Sequence, residues 1–160
     1  MARTAGQDIG DALEQAVQAG CELYLARRVA RIDKVATPIS QLCRVGVDGT
    51  FRARHGRKAH TDFLGVWLAP TGLDRGSVVA VECKATTEAR LPLSRIEPQQ
   101  RDWLRDCNGY VLVDFVALGK VRLVPFHKVD AARGSISPDD GWSVAAVEFL
   151  QPLLMGYGHV

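Results

Sequence analysis

Apolar residues recur at helical spacing near the start of the chain. Ile9, Leu13, Val17, Cys21, Leu25 and Val29 fall every four positions, and Tyr24 and Ile32 widen the stripe. The spacing predicts one long helix over 8–33, weakened at Gly10 and Gly20, so that it starts nearer Asp11. Thr37-Pro38 ends it, because the residue before a proline avoids the helical region. Beyond it the period shortens to two. Short strands are expected over 43–47 and 50–54, flanking the hairpin pair Asp48-Gly49. A second strand pair, 62–68 and 78–84, is joined by a loop over 70–76. A second helix is expected to begin near Pro98, where a missing amide proton costs nothing, and to end at Asn108-Gly109. Two further strands, 110–116 and 121–124, flank Leu118-Gly119, a short helix follows over 126–133, and the apolar stretch 143–155 is assigned to helix. This order gives an α/β fold in one domain, 1–160, with a mixed sheet flanked by helices.

One stretch breaks the apolar rule for buried strands. SVVAVECKAT (77–86) is built like a strand yet carries Glu82 and Lys84. Alternate strand residues share a face, so Ala80, Glu82 and Lys84 point one way and Val79, Val81 and Cys83 the other. Asp62 opens the neighbouring strand and can bring a second carboxylate to the same place. Two carboxylates that close repel unless a cation or a proton sits between them. A hard divalent ion such as Mg²⁺ fits, with Asp62, Glu82 and the main-chain carbonyl of Cys83 as ligands. It keeps waters, one of which can attack phosphorus, and Lys84 then polarises that water and stabilises charge on the phosphate. The competing reading is a structural Glu82–Lys84 pair on an exposed edge strand, worth about 0–1 kcal/mol.

The net charge of +2 conceals an uneven distribution. Arg52, Arg54, Arg57 and Lys58, with His55 and His60, lie between Asp48 and Asp62 without an intervening acid. Arg27, Arg28, Arg31 and Lys34 form a second cluster, offset only by Asp33. Such clusters suggest a polyanion footprint, the alternative being a solvated basic surface. His55 and His60 read as phosphate contacts or exposed residues. Trp67, Trp103 and Trp142 read as core. The composition, 47% hydrophobic and 24% charged, is that of an ordinary globular protein. No apolar run approaches a membrane span, and the N-terminal residues lack a signal-peptide core, so a cytoplasmic location is expected. The four scattered cysteines read as reduced, mostly buried small hydrophobes.

Asp62, then Glu82-Cys83-Lys84, then Gln100 on the following helix resembles the PD-(D/E)XK nuclease pattern. More specifically, the chain from Gly10 to Pro125 resembles the RecU-type Holliday junction resolvases. Gly10-x-x-Leu13-Glu14, Tyr24-Leu25-Ala26 and Val29-Ala30-x-Ile32 are similar to that family's first helix, and Ala36-Thr37-Pro38-Ile39 to the segment after it. Lys58-Ala59-His60-Thr61-Asp62-Phe63-x-Gly65-Val66, Val81-Glu82-Cys83-Lys84-Ala85-Thr86 and Pro92-Leu93-x-x-Ile96-x-x-Gln99-Gln100 follow in the family's order. The resemblance implies a restriction-endonuclease-like sheet with a protruding basic stalk over about 45–61. It implies Asp62 and Glu82 as metal ligands, Lys84 as catalytic lysine, Gln100 steadying the site, and Glu14 as a further metal or supporting contact. It places Arg57 and Lys58 at the scissile phosphate. Gln99 and Phe63 depart from the family's histidine and tyrosine, and the 67–77 loop is long.

The leading expectation is a homodimeric endonuclease, using Mg²⁺ with Mn²⁺ as a substitute, that nicks four-way DNA junctions in a bacterial or phage-infected cell. The compact chain leans towards phage. A restriction-like or other structure-specific nuclease, and a nucleic-acid-binding protein with an inactive site, are the alternatives.

Overall fold

The computed structural model describes residues 5–36, 39–44, 51–55, 60–68, 75–130 and 134–155; over 5–7, 39–44 and 51–55 only the backbone is considered. Helix α1 (Ala5–Ala26) is followed by strand β1 (Ala30–Lys34), so the first helix is seven residues shorter at its end than its periodicity predicts. The stop precedes Thr37-Pro38. The amides of Arg28 and Val29 turn back to the carbonyls of Leu25 and Tyr24, and Arg28 takes the left-handed conformation (φ 56°) more usual for glycine. Val29 and Ile32 fit the helical spacing by coincidence. In β1 it is Ala30 and Ile32 that are buried, at the strand period of two.

Strands β2 (Ile39–Arg44) and β3 (Phe51–His55) pair antiparallel in a sheet of their own. The main sheet adds β4 (Phe63–Trp67) and β5 (Val78–Thr86), and then, after β6 (Leu91–Pro92) and helix α2 (Pro98–Asp106), β7 (Tyr110–Phe115) and β8 (Lys120–Pro125). Helix α3 (Phe126–Asp130), β9 (Ser135–Ile136), β10 (Trp142–Ser143) and helix α4 (Gln151–Leu154) complete the described elements. The predicted C-terminal helix over 143–155 is thus an edge strand, a 3₁₀ turn at Ala146–Glu148 and a single helical turn. Pro152 cannot donate an amide to a longer helix.

The main sheet has the order β1-β4-β5-β7-β8-β10, antiparallel except for the β5–β7 pair. That pair is parallel because α2 carries the chain back across the sheet. The expected mixed α/β sheet flanked by helices is therefore present, with the architecture of a restriction-endonuclease-like core. Leu13, Val17, Cys21 and Tyr24 of α1 cover one face, meeting Val79, Val81 and Cys83 of β5 and Phe149, Leu150 and Leu153 from the end of the chain. The other face packs Ala80, Val111 and Val113 against Leu104 of α2 and Phe126 and Val129 of α3. Gly65 explains the closeness of β1 to β4. A Cβ there would lie 2.0 Å from the carbonyl oxygen of Arg31 and 2.5 Å from the Cα of Ile32.

Candidate functional site at the parted ends of β4 and β5

The β4–β5 ladder runs from Val66↔Val78 to Phe63↔Val81 and stops there, while β5 continues to Thr86 beside β7. Two side chains from the approach to β4 take over the unpaired edge. The buried Thr61 hydroxyl donates to the Val81 carbonyl at 2.8 Å, and the Cys83 amide donates to Asp62 Oδ2 at 2.8 Å. A strand residue presents its N–H and C=O to the same side. The Cys83 carbonyl therefore also faces the gap that Asp62 occupies.

Glu82 and Lys84 lie on the opposite side of β5 from the α1 core, as the alternation predicts. The edge-strand reading does not hold: β5 is the third of six strands, and Glu82 is 0% exposed. Glu82 Oε1 accepts from both the Lys84 ammonium and the Gln100 amide, the latter at 2.6 Å. Glu82 Oε2 is buried and has no hydrogen-bond partner. Burial, and next the nearby Asp62 carboxylate, push the Glu82 carboxyl up to about 7, against the pull of Lys84 and Gln100. Burial also raises Asp62, opposed by the Cys83 amide and Lys84. The Cys83 thiol is driven well above its ordinary range by burial and by both carboxylates, which makes it an inert apolar group.

Helix α2 holds this arrangement in place. Its start is a reciprocal cap: the Glu97 side chain accepts from the Gln100 backbone amide, and Gln100 Oε1 accepts from the Glu97 amide at 3.0 Å. The same Gln100 side chain reaches Glu82 through its Nε2. One turn on, Trp103 stacks against His60, with ring centroids 5.4 Å apart and planes at 26°. His60, two residues before Asp62, is thus tied to the helix that holds Glu82.

Glu14 faces the site from α1, where Lys34 binds it at 2.6 Å; Glu14 in turn helps raise Asp62. Lys34, at the end of β1 opposite Phe63, is a neighbour of the site that the sequence does not suggest, because its strand was hidden under the helical pattern. Thr61 and the His60–Trp103 stack carry no signal in a single sequence either. Trp67 is fully buried as expected, but Trp103 and Trp142 are only half-buried, the latter under the Lys128 ammonium.

The basic residues divide. Arg27, Arg28 and Arg31 are exposed. Arg27 and Arg28 precede the Ala30 end of β1, which pairs with Trp67, whereas Lys34 at the other end pairs with Phe63. They are separated from Asp62 by roughly 13 Å of strand or more, four residues at about 3.3 Å each. Arg52 and Arg54 lie on β3, opposite Cys43 and Gln41 of β2. Arg57 and Lys58, with most of the expected stalk, lie outside the described residues.

Fold and site together resemble those of the PD-(D/E)XK class: a mixed sheet whose third strand carries the buried Glu82 and the partly buried Lys84 beside Asp62. The family model described as RecU, Recombination protein U, matches residues 8–140, and the chain belongs to that family, one of recombination-related Holliday junction resolvases. No curated protein matches the chain. No helix among the described residues is long and apolar enough to cross a membrane.

Proposed function

We propose that this chain is a divalent-metal-dependent endonuclease that resolves four-way DNA junctions by paired nicks. The observation that carries the reading is the buried carboxylate pair, Asp62 and Glu82, with Glu82 Oε2 unpartnered. A buried carboxylate oxygen without a donor is costly, and a cation is the natural partner for it. Among the described residues no three His, Cys, Asp or Glu side chains converge on a cation position. Two carboxylates, one carbonyl and water or phosphate oxygens suit Mg²⁺, which rarely has an all-protein cage.

Asp62, Glu82 and the Cys83 carbonyl would hold the ion, with Glu14, bound by Lys34, outside the ligand set. When bound, the ion supplies a water of lowered pKa and a Lewis acid for the phosphate. The chain's own groups do the rest. Gln100 holds one oxygen of the Glu82 carboxylate and leaves the other for the ion. Thr61 keeps the strands from closing over the gap. The Lys84 ammonium, held beside the Glu82 carboxylate, donates to a non-bridging phosphate oxygen as charge builds there. Water oxygen bonds to phosphorus, the 3′ oxygen leaves with a proton, and the products carry a 5′-phosphate and a 3′-hydroxyl. Arg52, Arg54, Arg57 and Lys58, and Arg27, Arg28 and Arg31 further away, would contact the DNA backbone. Two symmetric nicks call for two sites related by a two-fold axis, and hence a homodimer.

The test is cleavage of a synthetic four-way junction against matched duplex and fork with Mg²⁺, using wild type and Asp62→Asn. Symmetric nicking confined to the junction and lost in Asp62→Asn is expected. Equal cleavage of all three substrates would replace the resolvase with a less selective nuclease. Binding without cutting, with Mg²⁺ or Mn²⁺, would leave a DNA-binding protein.

A further inference from the structure

The hairpin between β7 and β8 ends in five consecutive exposed residues, Val116-Ala117-Leu118-Gly119-Lys120. Val116 is 37% and Leu118 47% exposed. A single exposed aliphatic residue needs no explanation. These two share one short, well-fixed turn. Val116–Leu118 is a 3₁₀ turn closed by Gly119 in the left-handed conformation (φ 59°), whose amide donates to the Val116 carbonyl. Its base is anchored by Phe115, which is 0% exposed and opposes Lys120 across the hairpin.

The position of this turn gives it a role. β7 runs parallel to β5, with Lys84 opposite Val113 and Thr86 opposite Phe115. The turn therefore leaves the sheet on the Lys84 side of the carboxylate pair, with Val116 three residues, or roughly 10 Å of strand, beyond the level of Lys84 and five, or roughly 17 Å, beyond that of Glu82. We propose that the Val116–Leu118 turn is an apolar wedge that enters between two stacked bases of the DNA a few nucleotides from the scissile phosphate. Aliphatic side chains inserted at a base step are an established way for proteins to unstack and kink DNA. Unstacking a step costs about a few kcal/mol, which the extra contacts to the kinked DNA offset. Lys120, half-exposed at the foot of the turn and 3.5 Å from the exposed Asp139, is placed to exchange that partner for a phosphate. A second protein copy is a poorer occupant: two aliphatic side chains fall far short of the ~800 Å² per partner that a standard interface buries.

This inference rests on the junction-nuclease reading, and the experiment separates the two. Junctions carrying 2-aminopurine at successive positions around the crossover are bound by the Asp62→Asn protein, which leaves them intact. Emission should rise at one step within a few nucleotides of the cleavage position. Adding Val116→Ser and Leu118→Ser should return it to the free-junction level, whereas Leu118→Met, which keeps an apolar tip, should retain the rise. An unchanged melting temperature of the double-serine variant shows that only the tip has changed. Bound junction with no step unstacked, or the same rise in the double-serine variant, overturns the wedge and leaves the nuclease reading intact. Failure of wild type to nick the junction in the parallel reaction overturns both.

Discussion

On the α1 side of β5, Val79, Val81 and Cys83 meet Leu13, Val17 and Cys21, and the contact is apolar throughout. On the α2 side of the same strand, Ala80 is followed by Glu82 and Lys84 under Gln100 and Trp103. Both faces are covered, and Val81 and Glu82 are equally inaccessible to water at 0% exposure. Burial alone therefore does not separate a structural face from a chemical one. The α1 face is packed almost wholly with apolar groups, the exception being the buried Trp67 indole N–H, which has no partner among the described residues. The α2 face holds a carboxylate with two donors on one oxygen and none on the other, beside a strand edge that side chains of Thr61 and Asp62 pair in place of a neighbouring strand. Natural sequences break local rules at functional sites and compensate elsewhere. Here the compensation is in α2.

Three experiments would break or sharpen that contrast. The largest effect is expected for Lys84→Met, which should slow junction nicking by about 10²- to 10⁴-fold while leaving the fold intact, the range for losing one positioned catalytic group. Nicking at the wild-type rate would return Lys84 to a structural ion pair. Next comes Leu153→Ala on the α1 side, where a 0%-exposed leucine is truncated. It should cost about 2–5 kcal/mol in urea unfolding, with the nicking rate per folded molecule unchanged. A rate loss as large as that of Lys84→Met would erase the distinction between the faces.

The smallest effect concerns protons. The Glu82 carboxyl is raised from the usual 4.5 to about 7 by burial and then by Asp62. Below pH 4.5 it is protonated in both the folded and the unfolded chain. As the pH rises to about 7 the unfolded chain releases a proton that the folded chain keeps, so stability falls through this window, by up to about 3 kcal/mol, and levels off above it. Unfolding free energies measured without divalent ions should show this slope, and Glu82→Gln should flatten it. A wild type whose stability is level from pH 4.5 to 7 would mean that Glu82 stays ionised when buried.

Much of this was legible in the sequence, for reasons that can be named. The period of two across Val79 to Lys84 assigned the faces of β5 correctly, and Pro98 marked the first residue of α2. The Glu-x-Lys stood out because charge within an apolar strand is rare. Strand β1 was not legible, because Val29 and Ile32 extend the helical spacing while only Ala30 and Ile32 carry the strand period, and the stop at Arg28 depends on a left-handed conformation that arginine does not advertise. The end of the chain was not legible either. Its apolar residues are buried one at a time against α1, so no period survives. Asp62 was read from its place at the start of the neighbouring strand and Gln100 from the resemblance, but what surrounds them is a matter of tertiary closure. Nothing in a single chain pairs His60 with Trp103 or Lys34 with Glu14.

The reciprocal cap at the start of α2 has a mechanical corollary. A glutamine amide has one oxygen and one nitrogen, and here the two ends are committed to different structures: the oxygen to the Glu97 amide, the nitrogen to the Glu82 carboxylate. Turning the amide over would set oxygen against carboxylate and amino group against amide, so its sense is fixed. Sliding α2 along its axis would break both bonds at once. Gln100 thus indexes the helix to the carboxylate as a dowel pin indexes two machined plates, and the alignment of the site is set by how the helix begins.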